Sequence, residues 1–182
     1  KNIAVNAPLP HDSGTIPPAE LDAVSADDSP NVKTRKRPKP GERRVQILQT
    51  LAQMLEEPGA DRITTAALAA KLSVSEAALY RHFASKAQMF EGLIEFIESS
   101  VFSLVNQVAE RDGDGPQQAA KMITVLLQFG EKNPGMARVM VGDALVFEHD
   151  RLILRMNQFF DKLESQLRQC LRNAAEASGW AQ

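Results

Sequence analysis

The sequence is poor in cysteine and in long apolar runs. Its 182 residues include a single cysteine, Cys170, so no intramolecular disulfide can form, as is usual in a reducing compartment. Cys170 falls on an apolar stripe, which favours a buried thiol over a reactive one. No apolar run is long enough to span a bilayer, and the first residues lack the apolar region of a signal peptide. We therefore expect a cytoplasmic protein.

Aromatic residues and proline are also scarce where a sheet protein needs them. Aromatic residues make up 5% of the chain, and only Pro58, Pro116 and Pro134 of the ten prolines follow residue 40. Strands are enriched in aromatic residues, and all-β folds need frequent turns. The hydrophobic fraction of 43% is nevertheless sufficient for a core. The composition therefore favours an all-α fold.

Histidine is rare, and the three that occur do not suggest catalysis. His11, His82 and His149 belong to no nucleophile–base motif, phosphate-binding loop or metal-ligand spacing. His149 precedes Asp150 at a predicted helix start, where the two residues fit a helix cap better than a catalytic pair. We therefore predict no enzymatic activity, no metal and no cofactor.

Positive charge is concentrated in one short segment. The net charge is −2, but residues 33–44 carry seven Lys and Arg side chains against one carboxylate. Residues 1–40 are rich in Pro, Ala, Asp and Ser without periodicity, and we expect them to be disordered. The basic run fits an arm that follows DNA phosphates or enters a minor groove. The alternative is a solvated tether.

Residues 61–90 contain three helix starts in close succession. The N-cap residues are Thr64, Ser75 and Ser85, and Gln88 completes a capping box with Ser85. The predicted helices cover about 65–71, 76–83 and 86–110, with a turn at 72–74. This arrangement is typical of a helix-turn-helix, whose second helix is presented to a DNA major groove. The alternative is a tight helical hairpin in an all-helical domain.

The second of these helices has a face suited to reading DNA. At 3.6 residues per turn, Ala77 and Arg81 point outward, flanked by Ala78 and Tyr80. Small side chains allow the helix to approach bases closely, and their methyl groups can touch thymine methyls. Arg81 can donate to guanine or phosphate, and Glu76 can accept from cytosine. DNA binding is therefore the preferred interpretation.

The remaining chain is predicted to be helical. The other helices cover about 42–57, 117–132, 136–148 and 150–177. The apolar residues expected to face the core include Val45, Leu104 and Leu171. We divide the chain into a disordered extension at 1–40, a helix-turn-helix domain at 41–85 and a helical C-terminal domain at 86–182.

The helix that begins at Lys86 carries apolar residues outside its main stripe. Phe96 lies well off the stripe together with Met89, and Phe102 lies off it on another side. An off-stripe aromatic residue either packs against a second neighbour or is exposed to a partner. Packing against the helix-turn-helix domain is the simpler interpretation.

These features resemble the TetR family, specifically at Tyr80–Phe83 and Ser85–Lys86. The resemblance implies an N-terminal three-helix DNA-binding domain and a C-terminal helical dimerisation or regulatory domain. It also implies phosphate contacts by several side chains around the recognition helix. The predicted DNA-binding residues are Thr64, Thr65, Ser75, Glu76, Ala77, Ala78, Tyr80, Arg81, His82 and Lys86. The family often has glycine in the turn where this chain has Ser73, and a left-handed Ser73 would cost ~1 kcal/mol.

A closer resemblance is to the nucleoid occlusion group within that family. It is carried by the runs Arg62–Ala70, Val74–Phe83, Leu93–Glu98, Gly130–Glu131, Asn133–Gly135 and Asp150–Arg151. It implies a homodimer that binds palindromic double-stranded DNA across the nucleoid and inhibits assembly of the tubulin-like division protein FtsZ. Phe96, Lys132 and Asn133 would then meet FtsZ. Such proteins continue into another long helix that completes a dimeric bundle. The alternative is a ligand-responsive transcriptional repressor with a small-molecule pocket among the C-terminal helices.

Overall fold

The computed structural model describes residues 41–60, 62–111, 115–177 and 179. The extension at 1–40, with residues 33–40 of the basic arm, lies outside the described residues. Within them the chain forms α-helices and one 3₁₀ turn but no strand, which confirms the all-α prediction. The helices are α1 Glu42–Glu56, α2 Thr65–Lys71, α3 Glu76–Tyr80, α4 Lys86–Ala109, α5 Gly115–Lys132, α6 Pro134–Met140 and α7 Asp150–Ala177, and the 3₁₀ turn spans Asp143–Leu145.

The recognition helix α3 is shorter than predicted. It ends at Tyr80 rather than at residue 83. The amides of His82 and Phe83 both donate to the Leu79 carbonyl, at 2.9 and 3.1 Å, so the chain closes into a turn. This turn brings the Phe83 ring into the core, where the residue is 2% exposed.

The segment predicted as one helix at 136–148 is divided in two. Gly142 takes a left-handed conformation with φ 86°, and its amide donates to the Val139 carbonyl at 3.1 Å. Such a glycine ends an α-helix because it has no Cβ to clash in this conformation. The α6 helix therefore stops at Met140, and the 3₁₀ turn follows. The other helix bounds agree with the prediction to within about two residues.

The α4 helix supplies the largest share of the core. Leu93, Ile94, Ile97 and Val101 on its inner stripe are at most 1% exposed. This helix packs against α1, α5, α6 and α7, and α5 packs against α7. Every buried residue among those described is apolar or glycine, with none polar or charged. The hydrophobic effect therefore holds these helices together, with polar contacts at their margins.

Three apolar residues expected in the core are exposed instead. Val45, in the first turn of α1, is 53% exposed. Leu171 is 47% exposed, about 100° from its buried neighbour Cys170. Leu104 lies at the edge of the α4 stripe and is 36% exposed. The buried Cys170 thiol confirms the prediction for that residue, and it lies 3.2 Å from the Gly115 carbonyl oxygen.

The α1 helix is held closely against α6. A Cβ added to Gly135 would lie 2.0 Å from the Ala52 carbonyl oxygen, so only glycine allows this approach. Arg138 donates from one guanidinium nitrogen to the carbonyls of Leu55 and Ala60, at 3.0 and 3.1 Å. These contacts tie the first helix of the helix-turn-helix segment to the C-terminal helices.

Candidate nucleic-acid interface

Side-chain caps start the three helices around the candidate interface. The hydroxyl oxygens of Thr64, Ser75 and Ser85 accept from amides three residues later, at 3.1 to 3.2 Å. All three predicted N-caps are therefore confirmed. Gln88 departs from the predicted capping box, because its side-chain oxygen accepts from the Ala84 amide at 2.8 Å rather than from that of Ser85.

The turn between α2 and α3 passes through a left-handed residue. Ser73 has φ 54° and is the only described non-glycine residue with a positive φ. The Val74 amide donates to the Ala69 carbonyl at 3.0 Å, which closes the end of α2. The turn therefore forms without the glycine common in the family, at a cost of about 1 kcal/mol.

The inner side of the helix-turn-helix is firmly anchored. Leu68, Leu79 and Phe83 are each at most 2% exposed. This packing turns the opposite side of the segment outward, where Ala77 in α3 and Arg81 directly after it are exposed as predicted. The described surface thus carries a short helix with a small-residue face.

The other predicted DNA-binding residues surround that face with varied exposure. Thr64, Ser75, Glu76 and Tyr80 are exposed, whereas Thr65, Ala78, His82 and Lys86 are half-buried. Thr65 donates from its hydroxyl to a Glu76 carboxylate oxygen at 2.6 Å, across the turn. The two residues, predicted for different contacts, therefore form one hydrogen-bonded pair between α2 and α3.

Arg44 joins α1 to the end of the recognition helix. Its guanidinium donates to the His82 carbonyl, and its central carbon lies 4.1 Å from the centre of the Phe83 ring. Arg44 belongs to the predicted basic arm, but it lies in α1 and contacts protein. The sequence gives no local signal for this contact, because the partners are 38 residues apart.

Lys86, predicted to bind phosphate, is paired within the protein. Its ammonium forms an ion pair with Glu148, which precedes α7. The side chain of Lys86 is 24% exposed and that of Glu148 is 9% exposed. The ammonium also lies 5.7 Å from the centre of the Phe90 ring. No local sequence pattern indicates this partner, which lies 62 residues away.

The three off-stripe residues of α4 have different surroundings. Met89 is fully buried, and Phe102 packs edge-on against Phe159 with ring centres 5.4 Å apart. Phe96 is instead 49% exposed, so packing against the helix-turn-helix does not cover it. The simpler interpretation is therefore wrong for Phe96.

The other two residues predicted for a partner lie at the end of α5. Lys132 is exposed, and half-buried Asn133 donates from its side-chain nitrogen to the Phe129 carbonyl at 2.8 Å.

His149 and Asp150 stand at the start of α7, where the His149 Nδ1 accepts from the Arg151 amide at 3.2 Å. That contact agrees with the predicted cap.

An open groove lies on the described C-terminal helices. The groove measures about 670 Å³ and lies between α4 and α7, where its lining includes Glu95, Glu98, Phe102 and Asp161. A repressor that senses a ligand would need polar groups inside its core. The buried residues among those described supply none.

The described residues also contain no cluster of metal-ligating side chains and no helix that could cross a bilayer.

Two sequence families match separate parts of the chain. Residues 47–93 match the bacterial regulatory proteins of the tetR family. Residues 117–181 match the tetracyclin repressor-like C-terminal domain of the SlmA-like type. A solved structure, the TetR family transcriptional regulator PfmR from Thermus thermophilus, has a similar fold, with a TM-score of 0.63 at 22% identity, covering 75% of this chain and 74% of that one.

Similar curated proteins are nucleoid occlusion factors. The nucleoid occlusion factor SlmA of Aliivibrio fischeri is 53% identical over 145 residues, which cover 79% of this chain and 74% of the relative. That of Photobacterium profundum is 56% identical over 131 residues, covering 71% and 67%. Identity at this level over most of both chains places the protein in one family with them. The chain belongs to the SlmA family of nucleoid occlusion factors, within the TetR family.

Proposed function

We propose that the protein is a nucleoid occlusion factor that binds palindromic DNA as a homodimer in the cytoplasm and inhibits FtsZ assembly over the nucleoid. The outward face of α3 is the observation that carries the proposal. Ala77 in α3 and Arg81, which directly follows α3, are exposed, and the buried Leu79 and Phe83 fix the inner side of the same segment. A rigid helix with small outward residues and one guanidinium suits a major groove.

The proposed DNA contacts divide into base reading and phosphate binding. Ala77 and Ala78 let α3 approach the bases, and Arg81 donates to the edge of a guanine. The hydroxyls of Thr64 and Tyr80 bind phosphates, which fix the position of the helix without reading sequence. In a symmetric dimer the two recognition helices meet half-sites ~34–36 Å apart.

Phe96 supports a partner surface on α4. An aromatic ring that is 49% exposed on a rigid helix is typical of an interface anchor. Lys132 and Asn133, at the end of α5, are the polar residues proposed to meet the same partner. The relatives are named nucleoid occlusion factors, and this name supports a role in cell division. FtsZ is the partner that we propose for that role.

The first test measures FtsZ polymerisation by light scattering. FtsZ with GTP is followed alone, with this protein, and with this protein plus duplex DNA that carries its site. We expect DNA-bound protein to lower the scattering. Unchanged scattering in every mixture would contradict the role in division and favour a transcriptional repressor.

The second test locates the protein on the chromosome by immunoprecipitation and sequencing. Nucleoid occlusion predicts many palindromic sites that become sparse toward the replication terminus. Binding confined to one or a few promoters would instead identify a repressor.

A further inference from the structure

Lys86 stands directly after the turn that follows the recognition helix, yet its ammonium is paired with a distant carboxylate. The partner Glu148 is 62 residues further along the chain, between the 3₁₀ turn and α7. With 9% exposure for Glu148 and 24% for Lys86, the pair has little contact with water. The contact is therefore a link across the fold rather than a loose surface ion pair.

The surroundings of Glu148 make this carboxylate dependent on its counterion. A charged group with so little access to water is costly unless an opposite charge compensates it. A DNA phosphate offers Lys86 the same charge and the same kind of acceptor oxygen. A carboxylate and a phosphate on one ammonium would lie close together and repel each other. Each acceptor therefore weakens the hold of the ammonium on the other, and the two compete for Lys86.

We propose that Glu148 takes the place of a DNA phosphate at Lys86, so that phosphate binding at Lys86 and the Lys86–Glu148 contact exclude each other. The inference rests on the proposed DNA-binding function. Coupling between two binding events is reciprocal. A contact that weakens DNA binding is therefore weakened by DNA to the same extent.

Release of Glu148 affects the segment that carries it. Val146 and Phe147 are 63% and 65% exposed, and the segment is anchored by the fully buried Leu145 before it and Leu152 after it. Between these anchors, the ion pair ties the chain to the start of α4. When a phosphate takes Lys86, residues 146–149 lose that tie. DNA binding thereby loosens a segment that leads into the C-terminal helix α7.

The test compares DNA affinities of the full chain and its Glu148→Gln, Lys86→Met and double variants. The probe is a random-sequence duplex of about 30 base pairs, because a phosphate contact is independent of sequence. Fluorescence anisotropy at several salt concentrations gives the affinity and its salt dependence. We expect Glu148→Gln to tighten binding about three- to tenfold and to steepen the salt dependence by up to about 0.9. The double variant should bind like Lys86→Met.

Glu98→Gln is the matched control. Glu98 is also a half-buried carboxylate, and it forms an ion pair with Arg155 at 3.1 Å. It lies twelve residues after Lys86 in α4, which is about 18 Å along the helix axis. Glu98→Gln removes one negative charge from the protein, as Glu148→Gln does. We therefore expect it to raise DNA affinity only by the small amount that the change in net charge causes. Thermal unfolding of each variant establishes that it is folded.

Three results would overturn the inference. The first is that Glu148→Gln binds DNA no more tightly than the unchanged chain. The second is that Glu98→Gln gains as much DNA affinity as Glu148→Gln. The third is that Glu148→Gln still raises DNA affinity when Lys86 is replaced by Met. If neither the unchanged chain nor any variant binds the duplex at low salt, the proposed function itself fails. The two failures are thus distinguishable.

Hydrogen exchange supplies a measurement that does not depend on a substitution. We expect amides of residues 146–149 to exchange faster when the full chain is bound to duplex DNA, because the ion pair that restrains them is broken. Slower or unchanged exchange in this segment would contradict the mechanism.

Discussion

At the scale of single residues, Arg81, directly after α3, is the outward side chain able to discriminate bases by paired hydrogen bonds. Arg81 is exposed, and its planar guanidinium matches the two acceptors on the edge of guanine. Ala77 and Ala78 offer only methyl contacts. Sequence discrimination should therefore depend more on Arg81 than on its neighbours.

Replacing Arg81 by Ala should cost ~1–3 kcal/mol of discrimination between a specific and a scrambled duplex. The reason is the loss of a bidentate contact to one base pair. Competition binding with both duplexes measures the effect. Arg172→Ala, an exposed arginine in α7, is the control and should leave discrimination unchanged. An equal loss of affinity for both duplexes would show that Arg81 binds phosphate instead.

Ser73 is the residue whose backbone is least favourable for its type. Ser73→Gly should stabilise the fold by up to about 1 kcal/mol, because glycine adopts the left-handed conformation without a Cβ clash. Urea unfolding measures the change. The same substitution at Ser165, inside α7, should destabilise by about 0.5 kcal/mol. A loss of stability in Ser73→Gly would contradict the assigned strain.

At the scale of secondary-structure elements, two contacts fix how α1 meets its neighbours. Arg44 attaches it to the end of α3, and Gly135 brings it close to α6. The orientation of the recognition helix therefore depends on α1 at one end and, through α1, on the C-terminal helices.

Arg44→Met should weaken DNA binding about tenfold while leaving its salt dependence unchanged, because the lost contacts are a hydrogen bond and a cation–π contact within the protein. Anisotropy titrations over a range of salt measure both quantities. Arg44→Lys keeps the charge but not the planar stacking, and it should restore only part of the affinity. A salt dependence reduced by about 0.9 would assign Arg44 to a phosphate instead.

Gly135→Ala should destabilise the protein by about 1–3 kcal/mol, since the new methyl group would force α6 away from the Ala52 carbonyl. Thermal unfolding measures the loss. Gly130→Ala is the matched control in α5, where a Cβ meets its nearest neighbour at 3.8 Å. That variant should be equally stable or up to about 1 kcal/mol more stable. Similar losses in both variants would argue against a specific contact at Gly135.

The elements show what a sequence can and cannot predict. The starts of α2, α3 and α4 were predictable because the caps Thr64, Ser75 and Ser85 act within three residues. The early end of α3 at Tyr80 has no comparable local signal, because neither glycine nor proline follows it in residues 81–84. The partners of Arg44 and Lys86 lie 38 and 62 residues away. No local pattern indicates such pairs.

At the scale of the whole molecule, the proposed DNA and partner surfaces lie on different elements. The first is the outer face of α3, and the second centres on Phe96 in α4. The two activities should therefore be separable by mutation.

Phe96→Ala should abolish the effect on FtsZ scattering and leave DNA affinity unchanged, since truncation of an interface anchor costs about 2 kcal/mol or more. Phe160→Ala provides the control, because that ring is 38% exposed on α7. If Phe160→Ala impairs FtsZ inhibition as strongly as Phe96→Ala does, the surface is wrongly assigned. Loss of DNA binding in Phe96→Ala would show that the two surfaces are not separate.

The close packing of α1 on α6 determines how this chain can be divided. A fragment that ends before Lys86 keeps the complete helix-turn-helix, but it loses Gly135 and Arg138, which cover Ala52 and bind the carbonyl of Leu55. Such a fragment would expose an apolar helix face and a helix end without its donors. The DNA-reading helices are thus not a transplantable module, and a chimaera that borrows them must also borrow α6.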